Sequence, residues 1–143
     1  MLRILGQISI SGTKASIDRC ASIARIPRGT IMRTGLARKV PPADSWCYSS
    51  PWYRFNFHTM DQEIRSFVMA HAQLGKALAG HDAGITYALF TLCPVEQTFE
   101  ETFSGLLSRE TLQALSCLGV GLEIAPAVLM PDVPCWVEYD KPM

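Results

Sequence analysis

The first hydrophobic pattern in the chain has period two. Ile4, Ile8 and Ile10 share one parity, while Gln7, Ser9 and Ser11 take the other, which predicts a half-buried strand over 4–11. Gly12-Thr13 then turns the chain. Ile17, Cys20, Ala21 and Ala24 recur at helical spacing, with Arg19 and Arg25 off the stripe. Pro27 disfavours helical geometry in the residue before it, so the helix is placed at 14–25. Residues 28–45 are basic and then carry Pro41-Pro42-Ala43-Asp44, which reads as an irregular or edge segment and excludes a central strand.

Alternation returns at 46–57. Trp46 and Tyr48 alternate with Cys47 and Ser49; Tyr53, Phe55 and Phe57 alternate with Arg54, Asn56 and His58. Pro51 breaks the run, so the segment is two strands or one interrupted strand. Thr59 and Gln62 fit a capping box, and Ile64, Phe67, Val68, His71, Leu74 and Leu78 follow with helical period up to Gly80. This predicts one long helix over 59–79, about 30 Å in length. Gly84 to Leu92 reads as a strand, and Pro94 to Gly105 as an acidic, less regular stretch. Ser108 caps a helix bearing Leu112, Leu115 and Leu118, Gly119 ends it, and Leu122 to Leu129 give a last strand. The order implies a single α+β domain over 1–143: one mainly antiparallel sheet, with one long and two short helices packed on one face. Residues 131–143 form a C-terminal extension with no assigned structure.

The length of 143 residues and the 48% hydrophobic content suit one domain with its own core and argue against disorder. Net charge is zero but uneven: residues 1–40 hold eight basic side chains against Asp18 alone, and the acidic excess lies beyond them. Such asymmetry points to a polar partner. The five cysteines, Cys20, Cys47, Cys93, Cys117 and Cys135, form no C-x-x-C pair and lie in apolar stretches. They read as reduced, core-type thiols. No apolar run reaches the length of a membrane helix, and Gly6, Gln7 and Ser9 interrupt the centre a signal peptide needs. A cytoplasmic location is therefore expected.

Four segments resemble a bacterial family defined only as a domain of unknown function, family 4279. They are the opening strand ending at Ser11-Gly12, Thr30 to Gly35 after Pro27, Trp46-Cys47-Tyr48-Ser49-Ser50, and Ser108 to Ile124. The resemblance covers residues 2–128. The family often carries a tryptophan near the Thr-Gly segment; none lies between Thr30 and Gly35. The resemblance implies a fold and no activity. Small bacterial domains of this kind include inhibitors of partner toxins.

Catalytic signatures are sparse. Gly12-Thr13-Lys14 is not a phosphate loop, and Gly119-Val120-Gly121 lacks the third glycine of a dinucleotide fingerprint. His58, His71 and His81 are 13 and 10 residues apart, not at metal-ligand spacing. His71 falls on an apolar stripe and reads as a satisfied core histidine. His81-Asp82 reads as a turn, or as half of a hydrolase-like site that has no identifiable nucleophile. No cofactor or metal is expected. The reading with most support is a non-enzymatic domain that recognises a protein, an immunity-type toxin inhibitor being its concrete form. Trp52 and Arg54 share the parity opposite to Tyr53, Phe55 and Phe57, so they face away from the core. With Arg28, Arg33, Arg38 and Lys39 they make the candidate partner surface. Aromatic rings beside basic groups also fit a single-stranded nucleic-acid or nucleotide binder, although the chain lacks a basic excess.

Overall fold

A computed structural model describes residues 3–36, 44–80, 83–96, 107–125, 128–129 and 136–139. Eight strands form one sheet: β1 (Arg3–Gly12), β2 (Thr30–Leu36), β3 (Asp44–Ser49), β4 (Trp52–Phe55), β5 (Ile85–Glu96), β6 (Gly121–Ile124), β7 (Val128–Leu129) and β8 (Trp136–Glu138). Among the described residues four α-helices are interspersed: α1 (Lys14–Ala24), α2 (Met60–Ala70), α3 (Ala72–Leu78) and α4 (Arg109–Leu118), and the alternation expected to run through Phe57 gives way to a 3-10 turn at Phe57–Thr59. The fold is α+β with a mainly antiparallel sheet.

The centre of the sheet is β1. Along one edge it pairs antiparallel with β5, from Arg3 opposite Val95 to Gly12 opposite Ile85. Along the other it pairs with two strands in turn: β4 opposite Ile4 to Gly6, then β3 opposite Ser9 to Gly12. The aromatic segment is thus one interrupted strand, broken at Ser50-Pro51. Ser50 spans the break. Its amide donates to the Ile8 carbonyl at 2.9 Å, and its hydroxyl accepts the Ile8 amide at 3.0 Å and donates to the Pro51 carbonyl at 2.9 Å. Outside this pair, β2 flanks β3 and β8 runs parallel to β4, with Trp52 opposite Trp136. Beyond β5, β6 and β7 pair parallel to it, β6 reached through α4.

Alternation along β1 sorts the two faces. Ile4, Ile8 and Ile10 join Phe90, Leu92, Phe55 and Tyr48 in the main core, with Ile17 and Cys20 of α1, Ile64, Phe67 and Val68 of α2, Leu74 and Ala77 of α3, and Leu115 and Leu118 of α4. All four helices therefore lie on one face. Gly6 belongs to this face too. A Cβ there would sit 2.6 Å from the Phe55 ring and 2.9 Å from Phe90, so only glycine lets the rings close over the strand. Phe67 is the hub, with ring centroids 5.5 Å from Phe55, 5.8 Å from Phe90 and 5.0 Å from Tyr53.

The two short helices match expectation. Thr13 caps α1 through the Ser16 amide, and Ser108 caps α4 through the Thr111 amide, with Gly119 closing it in the left-handed conformation. The expected long helix is instead two. The His71 Nδ1 lies 2.8 Å from the Phe67 carbonyl, which an uninterrupted helix would give to the His71 amide. That amide turns to Val68 at 3.1 Å, and α3 restarts with Leu74 donating to the His71 carbonyl. The capping box also differs: Thr59 makes no side-chain cap, and Glu63 instead accepts the Asn56 amide at 2.6 Å. Leu78 is half-buried rather than fully buried. Asp61 fastens α2 to α4 by accepting the Ser108 amide at 2.6 Å while pairing with Arg65 at 2.7 Å. Burial opposes its charge, yet these bonds together hold its carboxyl below the ordinary range.

The strand at 84–92 extends further than its sequence indicates, to Glu96 through Pro94. The Leu92 carbonyl accepts the Ala125 amide at 2.8 Å, so Pro94, two residues on, turns its nitrogen to the same edge. There β6 has ended at Ile124, opposite Leu92, and β7 has yet to begin at Val128, opposite Val95. Among the described residues no strand pairs with β5 at this point, so proline forfeits no ladder bond to them. The acidic residues Glu100 and Glu101 lie outside the described residues.

Truncating the hub empties the space beneath three rings. Phe67→Ala is expected to cost about 3–5 kcal/mol in urea unfolding, with the slope of the transition unchanged. His71 has one satisfied nitrogen only: Nε2 is buried with no partner. Burial depresses its pKa below the ordinary 6.5, the Phe67 carbonyl offsetting this in part. A depressed histidine contributes its stability in full above the unfolded value and loses it as pH falls toward the folded one. Unfolding free energy should therefore fall on acidification below pH about 6.5. His71→Leu should flatten that part of the profile, and parallel profiles for the two proteins would contradict the assignment.

Candidate functional site

The second face of the sheet carries no helix among the described residues. Its residues follow from register. Leu5, Gln7 and Ser9 of β1 lie beside Cys93, Thr91 and Leu89 of β5, with Tyr87 next in line opposite Ser11. Arg54 and Trp52 of β4 flank Leu5 and meet Glu138 and Trp136 of β8. On the β3 side, Cys47 and Ser49 pair with Met32 and Thr30 of β2. Glu123 of β6 stands opposite Thr91.

At one end this face is sealed. Leu5, Cys93 and Val95 are buried as a small second core, covered in part by Trp52, Trp136 and Ala125. The central strand is therefore apolar on both faces at this end. Its Leu5 has the parity that the opening pattern assigns to solvent. Burial pushes the Cys93 thiol up, so it is a packed, protonated group and a poor nucleophile. Beyond the seal, the face opens into a trough of about 620 Å³. Trp52, Leu89, Tyr87 and Ala125 form its apolar wall, and Gln7, Ser9, Thr91 and Glu123 supply polar groups. Tyr87 is 46% exposed, and Met32, farther along the same face, is 64% exposed. The Gln7 amide nitrogen donates to the Ser50 carbonyl at 3.0 Å, which holds its side chain across the strand break. The Ser11 hydroxyl is buried on this face with no hydrogen-bond partner.

The candidate residues do not gather on one surface. Trp52 and Arg54 lie on the helix-free face, as their parity requires. Neither is a free-standing anchor: Trp52 is half-buried on the second core, and Arg54 pairs with Glu138 at 3.1 Å. Arg33 stands opposite Trp46, whose ring packs toward the helices, so its register places it on the other face. Arg28 is exposed in the turn before β2, beside Tyr53 on the helix face. Arg38 and Lys39 lie outside the described residues, as do His81 and Asp82. Cys20, Cys47, Cys93 and Cys117 are free thiols, and Cys117 is exposed rather than packed. Cys135 is outside the described residues. Among the described residues there is no group of three or more histidine, cysteine or acidic side chains arranged to hold a metal ion. Among them, too, no helix is long and apolar enough to cross a membrane.

Sequence reasoning missed Tyr87, Leu89 and Trp136 as members of this surface. The first two carry a readable signal, since they alternate with Ala88 and Phe90. Trp136 carries none, because its place depends on parallel pairing with a strand 84 residues earlier. No family model, curated protein or solved structure matches the chain.

Proposed function

We propose that this domain is a non-enzymatic binding module that recognises another protein through the helix-free face of its sheet. The observation that carries the reading is the trough walled by Trp52, Leu89 and Tyr87 on a face where the second core fixes the two tryptophans. Rigid aromatic side chains supply large contact area at little entropic cost, and tryptophan and tyrosine dominate interface energetics. Charge favours a protein over a nucleic acid. The described charged side chains on this face are Arg54, already tied to Glu138, and the acidic Glu123. A phosphate backbone calls for cations beside the rings, and Arg28 and Arg33 are placed elsewhere. The partner suited to the trough presents an apolar ridge, amide or hydroxyl groups for Gln7, Ser9 and Thr91, and a basic residue toward Glu123. An immunity-type inhibitor of a bacterial toxin is the specific form that the small size and uneven charge of the chain suit.

Photo-crosslinking tests this. A crosslinking residue at Leu89 should capture a protein that the same residue at Gln73, on exposed α3, does not. The captured partner should then bind Tyr87→Ala about tenfold more weakly or worse, chiefly through a faster off-rate. Capture from Gln73 alone, recovery of nucleic acid from Leu89, or an unchanged Tyr87→Ala affinity would overturn the reading.

A further inference from the structure

On the opposite side of the molecule, the break between α2 and α3 opens a cavity of about 330 Å³. This is at the lower end of the range for small-ligand sites. Its walls are aromatic. The Tyr53 and Phe67 centroids are 5.0 Å apart, and Tyr139 stands nearly perpendicular to both, 6.3 Å and 5.7 Å away. The Tyr139 hydroxyl is held by Ser66 at 3.0 Å. The Tyr53 hydroxyl has no hydrogen bond among the described residues. Pro27, Ala70 and Val137 complete the apolar lining, and Glu138 at the edge is already paired with Arg54.

The charge at the mouth is Arg28, which shares with Arg25 a positive φ that is uncommon outside glycine. Ile26 to Gly29 form a tight turn, with the Gly29 amide donating to the Ile26 carbonyl at 2.9 Å. The Tyr48 hydroxyl accepts the Ile26 amide at 2.7 Å and pins the turn to the sheet. Proline occupies its second position and Arg28 its third, where φ is +57°. A turn of this type wants glycine there, because a Cβ is strained at positive φ. The glycine stands one place later, where a Cβ would come within 2.7 Å of the Tyr48 ring. An arginine thus occupies the strained position over an aromatic cavity, and Arg28 makes no ion pair among the described residues. Strain of this kind persists where the side chain has a task.

We infer that this cavity binds a small carboxylate with a flat aromatic or compact apolar body. Arg28 pairs with the carboxylate, the Tyr53 hydroxyl donates a second hydrogen bond, and the three rings enclose the body. Guanidinium and carboxylate match as a two-bond fork, and their contact strengthens as the ligand displaces water from the mouth. The site is separate from the sheet trough, so it stands or falls independently of the protein-partner reading.

The test is titration of the whole chain with benzoate, phenylacetate and indole-3-acetate, read by amide shifts at Ala70, His71 and Val137. At least one should saturate below a Kd on the order of 10 mM, with 2-phenylethanol about tenfold weaker or more. Arg28→Gly relieves the turn, so it should unfold at a higher urea midpoint while losing about tenfold or more of carboxylate affinity. A more stable variant with weaker binding is the signature of a residue kept for a ligand. Failure of all three acids to saturate, equal binding of the neutral alcohol, or undiminished binding by Arg28→Gly would each overturn the inference.

Discussion

Every backbone group of β1 has to find a partner inside the protein, because this strand is covered on both edges and, at one end, on both faces. An unpaired amide or carbonyl in that position costs as much as several favourable contacts return. Along β5 the ladder runs in unbroken register from Arg3 to Ser11 and shifts only before Gly12. On the other edge, Pro51 makes continuity impossible: it has no amide to offer, and the chain bends there. Ser50 resolves this locally by serving Ile8 with both its amide and its hydroxyl. One small polar side chain therefore lets β3 and β4, both antiparallel to β1, act as a single partner strand across the proline. The outer strands β2 and β8 then flank the separate halves.

From that frame the two faces acquire different characters. Gly6 allows Phe55 and Phe90 to cross the strand, Phe67 fills the space above them, and the helices close over the aromatic cluster. The other face retains a short apolar seal at Leu5, Cys93 and Val95, and then polar groups among rings. A sheet with all its described helices on one side must either solvate the other side or give it a partner. Half-fixed tryptophans and an exposed tyrosine favour the partner. At the junction of α2 and α3, the imidazole of His71 competes for a helical carbonyl. The resulting break opens a second, smaller cavity beneath a strained arginine.

Much of this was legible in the chain. Period-two alternation placed β1, β3 and β4 and put Trp52 and Arg54 on the correct side of their strand. The turn at Gly12-Thr13 and Pro27 bounded the first helix, and the cap at Ser108 and the turn at Gly119 the last, each to within a residue or so. What failed did so for identifiable reasons. Helical periodicity runs straight through His71, because it records side-chain direction and not a side chain's capture of a backbone carbonyl. Pro94 was read as a stop because sequence does not show that β6 ends opposite Leu92 and β7 begins only opposite Val95. Leu5 looked misplaced until the distant Trp136 supplied its cover. Parity orders residues within a strand but says nothing about how a turn residue such as Arg28, or the next strand's Arg33, is oriented. Of the candidate residues that are described, Trp52 and Arg54 consequently fall on one face and Arg28 and Arg33 on the other.

The claim on which the functional account rests is that the helix-free face is open in the isolated domain and covered in its complex. Hydroxyl-radical footprinting of both states measures this directly. Tyr87 should be modified readily in the free domain and protected when the native partner binds, while Met69 and Leu112 on the helix layer, also exposed, should be modified equally in the two states. Equal modification of Tyr87 in both states, or protection of Met69 and Leu112 in its place, would contradict the account.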